Sequence, residues 1–125
     1  MKRGPGNPIP QESRDLVERR QHGLCFRCGG RGYEDHHRRR RRERRHDSHC
    51  PCNLVRLCRT CHSWAHMNPT AARGVGLILE SSMLEPYEMP ARAPDGPWML
   101  HCDGSATPLT EAQVMMIGSS LHIDM

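Results

Sequence analysis

Apolar residues in this chain fall in short runs separated by charged or Gly/Pro-rich stretches, so the pattern predicts small elements. The clearest signal lies between residues 53 and 73. Asn53-Leu54-Val55-Arg56-Leu57 reads as a half-apolar strand running into Cys58, and a helix from about Arg59 to Met67 follows. Asn68-Pro69 closes that helix and opens another, with Asn68 as N-cap and Pro69 at the first helical position before Thr70-Ala71-Ala72-Arg73. Upstream, Ser13 as N-cap, Asp15 in the first turn and Leu16, Val17 and Arg20 ahead of Gly23 predict a helix that stops just before Cys25. Residues 1–10, with Gly4, Pro5, Gly6, Pro8 and Pro10, read as a flexible arm. After residue 74, Leu77-Ile78-Leu79 and Trp98-Met99-Leu100-His101-Cys102 are strand candidates, and Asp95-Gly96 and Asp103-Gly104 are turn signals. There is no internal repeat.

Composition changes this picture by making the core thin. The 125 residues are 36% hydrophobic and include one Phe, two Trp and two Tyr, which bounds the chain to one small domain that needs support beyond apolar burial. No stretch approaches transmembrane length, so a membrane role has no support. Seven cysteines, an odd number, and no apolar run after Met1-Lys2-Arg3 argue for reduced, metal-binding thiolates and a cytoplasmic setting rather than a secreted disulfide framework. Charge is unevenly placed. Residues 1–73 carry 17 Lys+Arg against 7 Asp+Glu, whereas residues 74–125 carry 1 against 7. The basic part also holds the Cys/His motif, which implies a polyanionic partner, nucleic acid above all.

The motif runs Cys25-x-x-Cys28, His36-His37, Asn53, Cys58-x-x-Cys61, His62 and His66. Cys25, Cys28, Cys58 and Cys61, two close pairs joined by a loop, have the spacing of a closed tetrathiolate zinc site, and Gly29-Gly30 lets the chain turn tightly around the ion. The histidines must serve elsewhere. At i and i+4 of a helix, His62 and His66 project from one face and can hold one further ion in an open site, the equipment for metal-assisted hydrolysis. Cys50 and Cys52 read as exposed loop residues, with the option that one replaces an assigned zinc ligand or completes another site, and Cys102 reads as a small apolar side chain packed in the C-terminal part. Trp64 is expected to pack in the core.

Over residues 23–67 this order resembles the HNH (ββα-metal) endonuclease family, and most of all the zinc-knuckle proteins of actinobacteria and their phages, through Cys61-His62-Ser63-Trp64-Ala65-His66 followed by Asn68-Pro69. The resemblance implies an α+β fold: a leading helix and a zinc-stabilised ββα-metal module over residues 11–73, and a short hairpin-containing acidic extension over 74–125. It implies hydrolysis of DNA phosphodiester bonds, by nicking or cutting, with structural Zn²⁺ and a catalytic divalent cation such as Mg²⁺, Mn²⁺, Ni²⁺ or Zn²⁺. His37 becomes the general base, His36, His62 and His66 the catalytic-metal ligands, and Asn53 the residue that ties down the loop carrying the base. A second register makes Asp35 the ligand and His36 the base; Arg38 after the pair favours the first. Many relatives have a Gly-Gly turn where this chain has Arg38, Arg39, Arg40, Arg41, Arg42, Glu43, Arg44, Arg45 and His46, and these arginines are read as a loop that tracks the DNA backbone. The family also admits partners in phage DNA packaging, such as terminase. The competing reading is a zinc-stabilised nucleic-acid-binding module without catalysis.

Overall fold

The computed structural model describes residues 8–39, 47–79 and 84–123, with side chains described as far as Ile117. Among them are four α-helices and two small antiparallel sheets: α1 (Gln11–Gln21), β1 (Glu34–His37), β2 (Leu54–Leu57), α2 (Arg59–Met67), α3 (Pro69–Gly74), β3 (Ala91–Ala93), β4 (Gly96–Leu100), β5 (Ala106–Pro108) and α4 (Glu111–Ile123). No helix among the described residues is long and apolar enough to cross a membrane.

The expected elements of the basic part form, with shifts set by local chemistry. α1 starts at Gln11 because Pro10, in extended conformation, takes the N-cap position, so Ser13 is inside the helix and not its cap. His22 in the left-handed region and Gly23, also at positive φ, end it before Cys25. Asn53 belongs to a 3-10 turn, Pro51–Asn53, that feeds β2. α2 covers Arg59–Met67, with the Cys58 sulfur accepting from the Cys61 amide at its start. Asn68 precedes α3 but makes no side-chain cap; its amide donates back to the Trp64 carbonyl at 3.0 Å.

β1 and β2 pair antiparallel with His36 opposite Val55 and His37 opposite Leu54. Strand alternation puts Glu34 and His36 on one face and Asp35 and His37 on the other. Beyond α3, β3, β4 and β5 form an antiparallel sheet in sequence order; the first turn is Pro94-Asp95, one residue before the expected Asp95-Gly96, with Gly96 opening β4 opposite Ala93, and the second contains Asp103-Gly104 as expected. Cys102 is thereby in the second turn, not in a strand. Leu77-Ile78-Leu79 is not a strand either. Its amides bond to the Ala72 carbonyl at the end of α3 and to the Arg38 carbonyl, so no ladder is needed, although Leu77 and Leu79 are buried. The helix α4 follows Thr110, whose hydroxyl accepts from the Gln113 amide.

One apolar cluster spans the basic and acidic parts, with Cys25, Phe26, Val55, Leu57, Cys61 and Ala65 packed together with Leu77, Ala91 and Leu100. Trp64 packs against it as expected, under the guanidinium of Arg27 at 3.6 Å.

The junction depends on Arg38. Expected at a DNA-facing surface, it is 1% exposed and donates to the carbonyls of Gly76, Cys52, Pro86, Met89 and Pro90 at 2.8–3.3 Å. Burial lowers its pKa to about 9, so the guanidinium stays charged at neutral pH. Arg39 is corrected in the same way: it is 3% exposed, pairs with Glu85 at 3.2 Å and donates to the Leu84 carbonyl. A planar fork of five donors suits a place where irregular backbone turns its carbonyls inward. Gly76 is part of this junction, since a Cβ there would stand 2.8 Å from the Ala91 Cα, at a φ of +80°. Arg40, Arg41, Arg42, Arg44 and Arg45 lie outside the described residues.

Replacing Arg38 by Ala would leave several buried carbonyls without donors, each worth about 1–3 kcal/mol. The expected result is a loss of at least about 3 kcal/mol in denaturant unfolding and a fall in Tm on the order of 10 °C. Arg38→Lys should rescue little, because an ammonium cannot reproduce the fork. Parent-like unfolding of Arg38→Ala would contradict this account.

Candidate metal centre

The four motif cysteines are brought together as the spacing requires. Cys25 and Cys28 come from the turn after α1, Cys58 and Cys61 from the start of α2, and their sulfurs all lie within 4.8 Å of one another. Cys28 and Cys58 are 3.9 Å apart, against about 3.8 Å for the edge of a tetrahedron with Zn–S bonds of about 2.3 Å. The backbone prepares this arrangement. Gly29, at a φ of +80°, lets its amide return to the Cys25 carbonyl, and the Gly30 amide reaches the Cys28 sulfur at 3.4 Å. Burial raises the Cys25 thiol, but N–H groups at Cys58, Cys28 and Arg27 outweigh it and bring the pKa down to about 7. Burial pushes Cys61 up to about 12 against the opposing hydrogen bond from Arg27, at 3.3 Å. Four crowded sulfurs of this kind ionise together only around a cation, and a metal such as zinc fits the set.

The second group is His36 from β1 with His62 and His66 from α2, again with ligand atoms within 4.8 Å. Ring centroids are 4.9–5.5 Å apart. The i,i+4 pair thus gains a third imidazole from the facing strand. His36 is 4% exposed, and its Nε2 lies 2.7 Å from the Leu77 carbonyl, which leaves Nδ1 for an ion. Burial lowers its pKa to about 4, so it is neutral and able to donate a lone pair at physiological pH. His62 Nδ1 lies 2.7 Å from Glu34 Oε1, leaving Nε2. That hydrogen bond holds the Glu34 carboxyl below its usual range. A carbonyl and a carboxylate behind two ligand imidazoles are the outer partners a metal site uses to fix ring orientation.

Asp35 does not join this group. It is clasped by Arg56 at 3.1 and 3.3 Å on the other face of β1, with Arg14 at 3.9 Å. Of the two registers the geometry therefore matches the one in which His36 is the ligand. His37 also turns away from the cluster, and its Nε2 lies 3.0 Å from His49 Nδ1. Asn53, 1% exposed, secures both sides of this pair. Its Oδ1 accepts from the Arg39 amide at 2.8 Å, its Nδ2 donates to the carbonyls of Arg39 and Ser48, and its own carbonyl accepts from the Arg38 amide.

Sequence reasoning missed Glu34 and His49. Strand alternation put Glu34 on the face of His36, which was a usable signal; nothing in the spacing pointed to His49. It also misplaced the remaining cysteines: Cys52 is buried, Cys102 is exposed, and both lie with Cys50 in a third thiol group.

Chelation should unfold the basic part, since the thiolate site substitutes for a core that the sequence lacks. Cys25→Ser or Cys61→Ser should each remove tightly held zinc, read by elemental analysis, together with a large fall in Tm. Undiminished stability in strong chelator would rule out a structural ion. Comparison with known protein families, with curated proteins and with solved structures returns no match for this chain.

Proposed function

We propose that this protein is a metal-dependent endonuclease of the HNH (ββα-metal) type that hydrolyses DNA phosphodiester bonds. The observation that carries the reading is the meeting of His36 from β1 with His62 and His66 from α2, while His37, next in the chain, is turned to the opposite face and held by His49. The order of β1, β2 and α2 with thiolate clamps at both ends supports the same ββα-metal arrangement.

A divalent ion bound by His36, His62 and His66 would offset the charge that develops on the scissile phosphate and the departing oxygen. The chain's own residues do the rest. His37, held by the 3.0 Å contact between its Nε2 and His49 Nδ1, takes the proton of the attacking water as general base. His49 and Asn53 are positioning residues. They set the tautomer of the base and the course of the loop that bears it. Glu34 orients His62. DNA as the substrate follows from the excess of basic residues over 1–73, with Arg40, Arg41, Arg42, Arg44 and Arg45 as backbone contacts. A place beside terminase in phage DNA packaging is a narrower form of this reading and rests on the family resemblance alone.

Relaxation of supercoiled plasmid should require a divalent ion and stop with EDTA. His37→Ala should lower the rate by about 10²-fold to 10⁴-fold while metal and DNA binding persist. His62→Ala and His66→Ala should weaken metal binding instead, with partial recovery in excess Mn²⁺ or Ni²⁺. For His49→Ala the expected change is a smaller loss with a displaced pH–rate profile. Tight, salt-sensitive DNA binding with no cleavage under any divalent ion would replace the enzyme with a zinc-stabilised binding module.

A separate measurement concerns the basic loop. Changing Arg40, Arg41, Arg42, Arg44 and Arg45 to Ser should flatten the salt dependence of duplex binding, for all sequences alike, by about 0.9 in log–log slope for each phosphate no longer neutralised. An unchanged slope would remove this loop from the interface.

A further inference from the structure

We propose that Cys50, Cys52 and Cys102 form a second thiolate metal site, for a zinc-class ion, that clamps the β4–β5 turn of the C-terminal part to the segment leading into Asn53. The three sulfurs lie within 4.8 Å of one another, the same closeness as in the Cys25–Cys61 set, although Cys102 is some fifty residues from its partners in the chain. None of the three is in a disulfide.

Each thiol is delivered by backbone that is already fixed. The Cys50 carbonyl accepts from the Asn53 amide at 2.8 Å, closing the 3-10 turn that carries Cys52, and the Cys52 carbonyl accepts from Arg38 at 2.9 Å. Cys102 is held by the His101–Ser105 turn, where the His101 amide bonds to the Ser105 carbonyl at 2.9 Å and the Gly104 amide to the His101 carbonyl at 3.1 Å. Leu16 of α1 lies close enough to Gly104 that a Cβ there would stand 2.9 Å from its Cβ, so this turn approaches α1 closely. Cys50 Sγ is also 4.0 Å from the Cys102 carbonyl oxygen.

The charges favour a cation shared by thiolates. Three thiolates around a divalent ion leave one net negative charge, and two buried guanidinium groups, Arg20 and Arg38, interact electrostatically with Cys52. Three thiolates supply three of the four positions of a tetrahedral zinc-class site. The consequence is mechanical. Cys52 directly precedes Asn53, whose amide ties the Ser48 carbonyl next to His49, so the clamp braces the loop facing His37 from the C-terminal side.

The test is zinc content of the full chain, purified under reducing conditions without chelator, for the parent, Cys102→Ser, Cys25→Ser and the double variant. Cys102→Ser should lose one equivalent per chain and keep the ion of the Cys25, Cys28, Cys58 and Cys61 set, whereas Cys25→Ser and the double variant, in which the basic part carrying Cys50 and Cys52 unfolds, should lose both. A full zinc complement in Cys102→Ser would overturn the proposal. Should Cys102→Ser lose all its metal by failing to fold, alkylation of the parent decides. In the native parent, N-ethylmaleimide should spare Cys50, Cys52 and Cys102 until a chelator is added, together with one further released zinc. Their prompt alkylation while Cys25, Cys28, Cys58 and Cys61 stay protected, or a disulfide between two of them, would overturn it.

Discussion

Everything in the basic part follows from one constraint, that the sulfurs of Cys25, Cys28, Cys58 and Cys61 occupy a space of 4.8 Å. Thiolates at such distances repel one another unless a cation lies among them, so the same crowding that closes the module suits it to a metal such as zinc. It also sets the position of α2. Cys58 caps this helix and Cys61 sits in its first turn, so the thiolate group anchors the N-terminal end of the element on which His62 and His66 stand. β1 faces them because it pairs with β2, which runs directly into Cys58. The histidine cluster is therefore a downstream result of where the cysteines are.

The second organising feature is the use of polar side chains as structural ties where apolar mass is scarce. Arg38 fills the junction between the basic part and the residues after α3 with one guanidinium and five carbonyls. Asn53 does the same for the loop ends around His37 and His49, and Arg20 donates to the carbonyls of Pro51 and Leu54. Such ties cost desolvation energy, but a fully satisfied buried group such as the Arg38 fork specifies one backbone course where loose apolar contacts would permit several. The proposed site, with a base and a metal at fixed separation, would benefit from that specificity.

How much was legible depends on whether the signal was local. The tetrathiolate spacing, the i,i+4 histidines, the helix of residues 59–67 and the turns beside Gly96 and Gly104 could be read from neighbours in the chain, because metal-ligand spacing, helical periodicity and turn chemistry are short-range; the role of Asn53 as a tie came from the family resemblance, since its bonds to Arg39 span fourteen residues. Alternation along β1 separates His36 from His37, but that strand becomes visible only through its pairing with β2.

Other features required the folded chain. Arg38 and Arg39 stand in a run of arginines whose composition speaks only of exposed charge, and it takes carbonyls of Cys52, Gly76, Leu84, Pro86, Met89 and Pro90 and the Glu85 carboxylate to make burial of these two favourable. Leu77–Leu79 has strand composition, yet its amides bond to Ala72 and Arg38 before any ladder could form. The meeting of Cys102 with Cys50 and Cys52, the pairing of His37 with His49, and the choice of His36 over Asp35 beside the i,i+4 histidines depend on contacts between segments far apart in the chain. Sequence thus determined the donor chemistry and the local elements that carry it; the tertiary structure decided which donors meet, because burial and through-space distance are properties of the packed chain and not of any window along it.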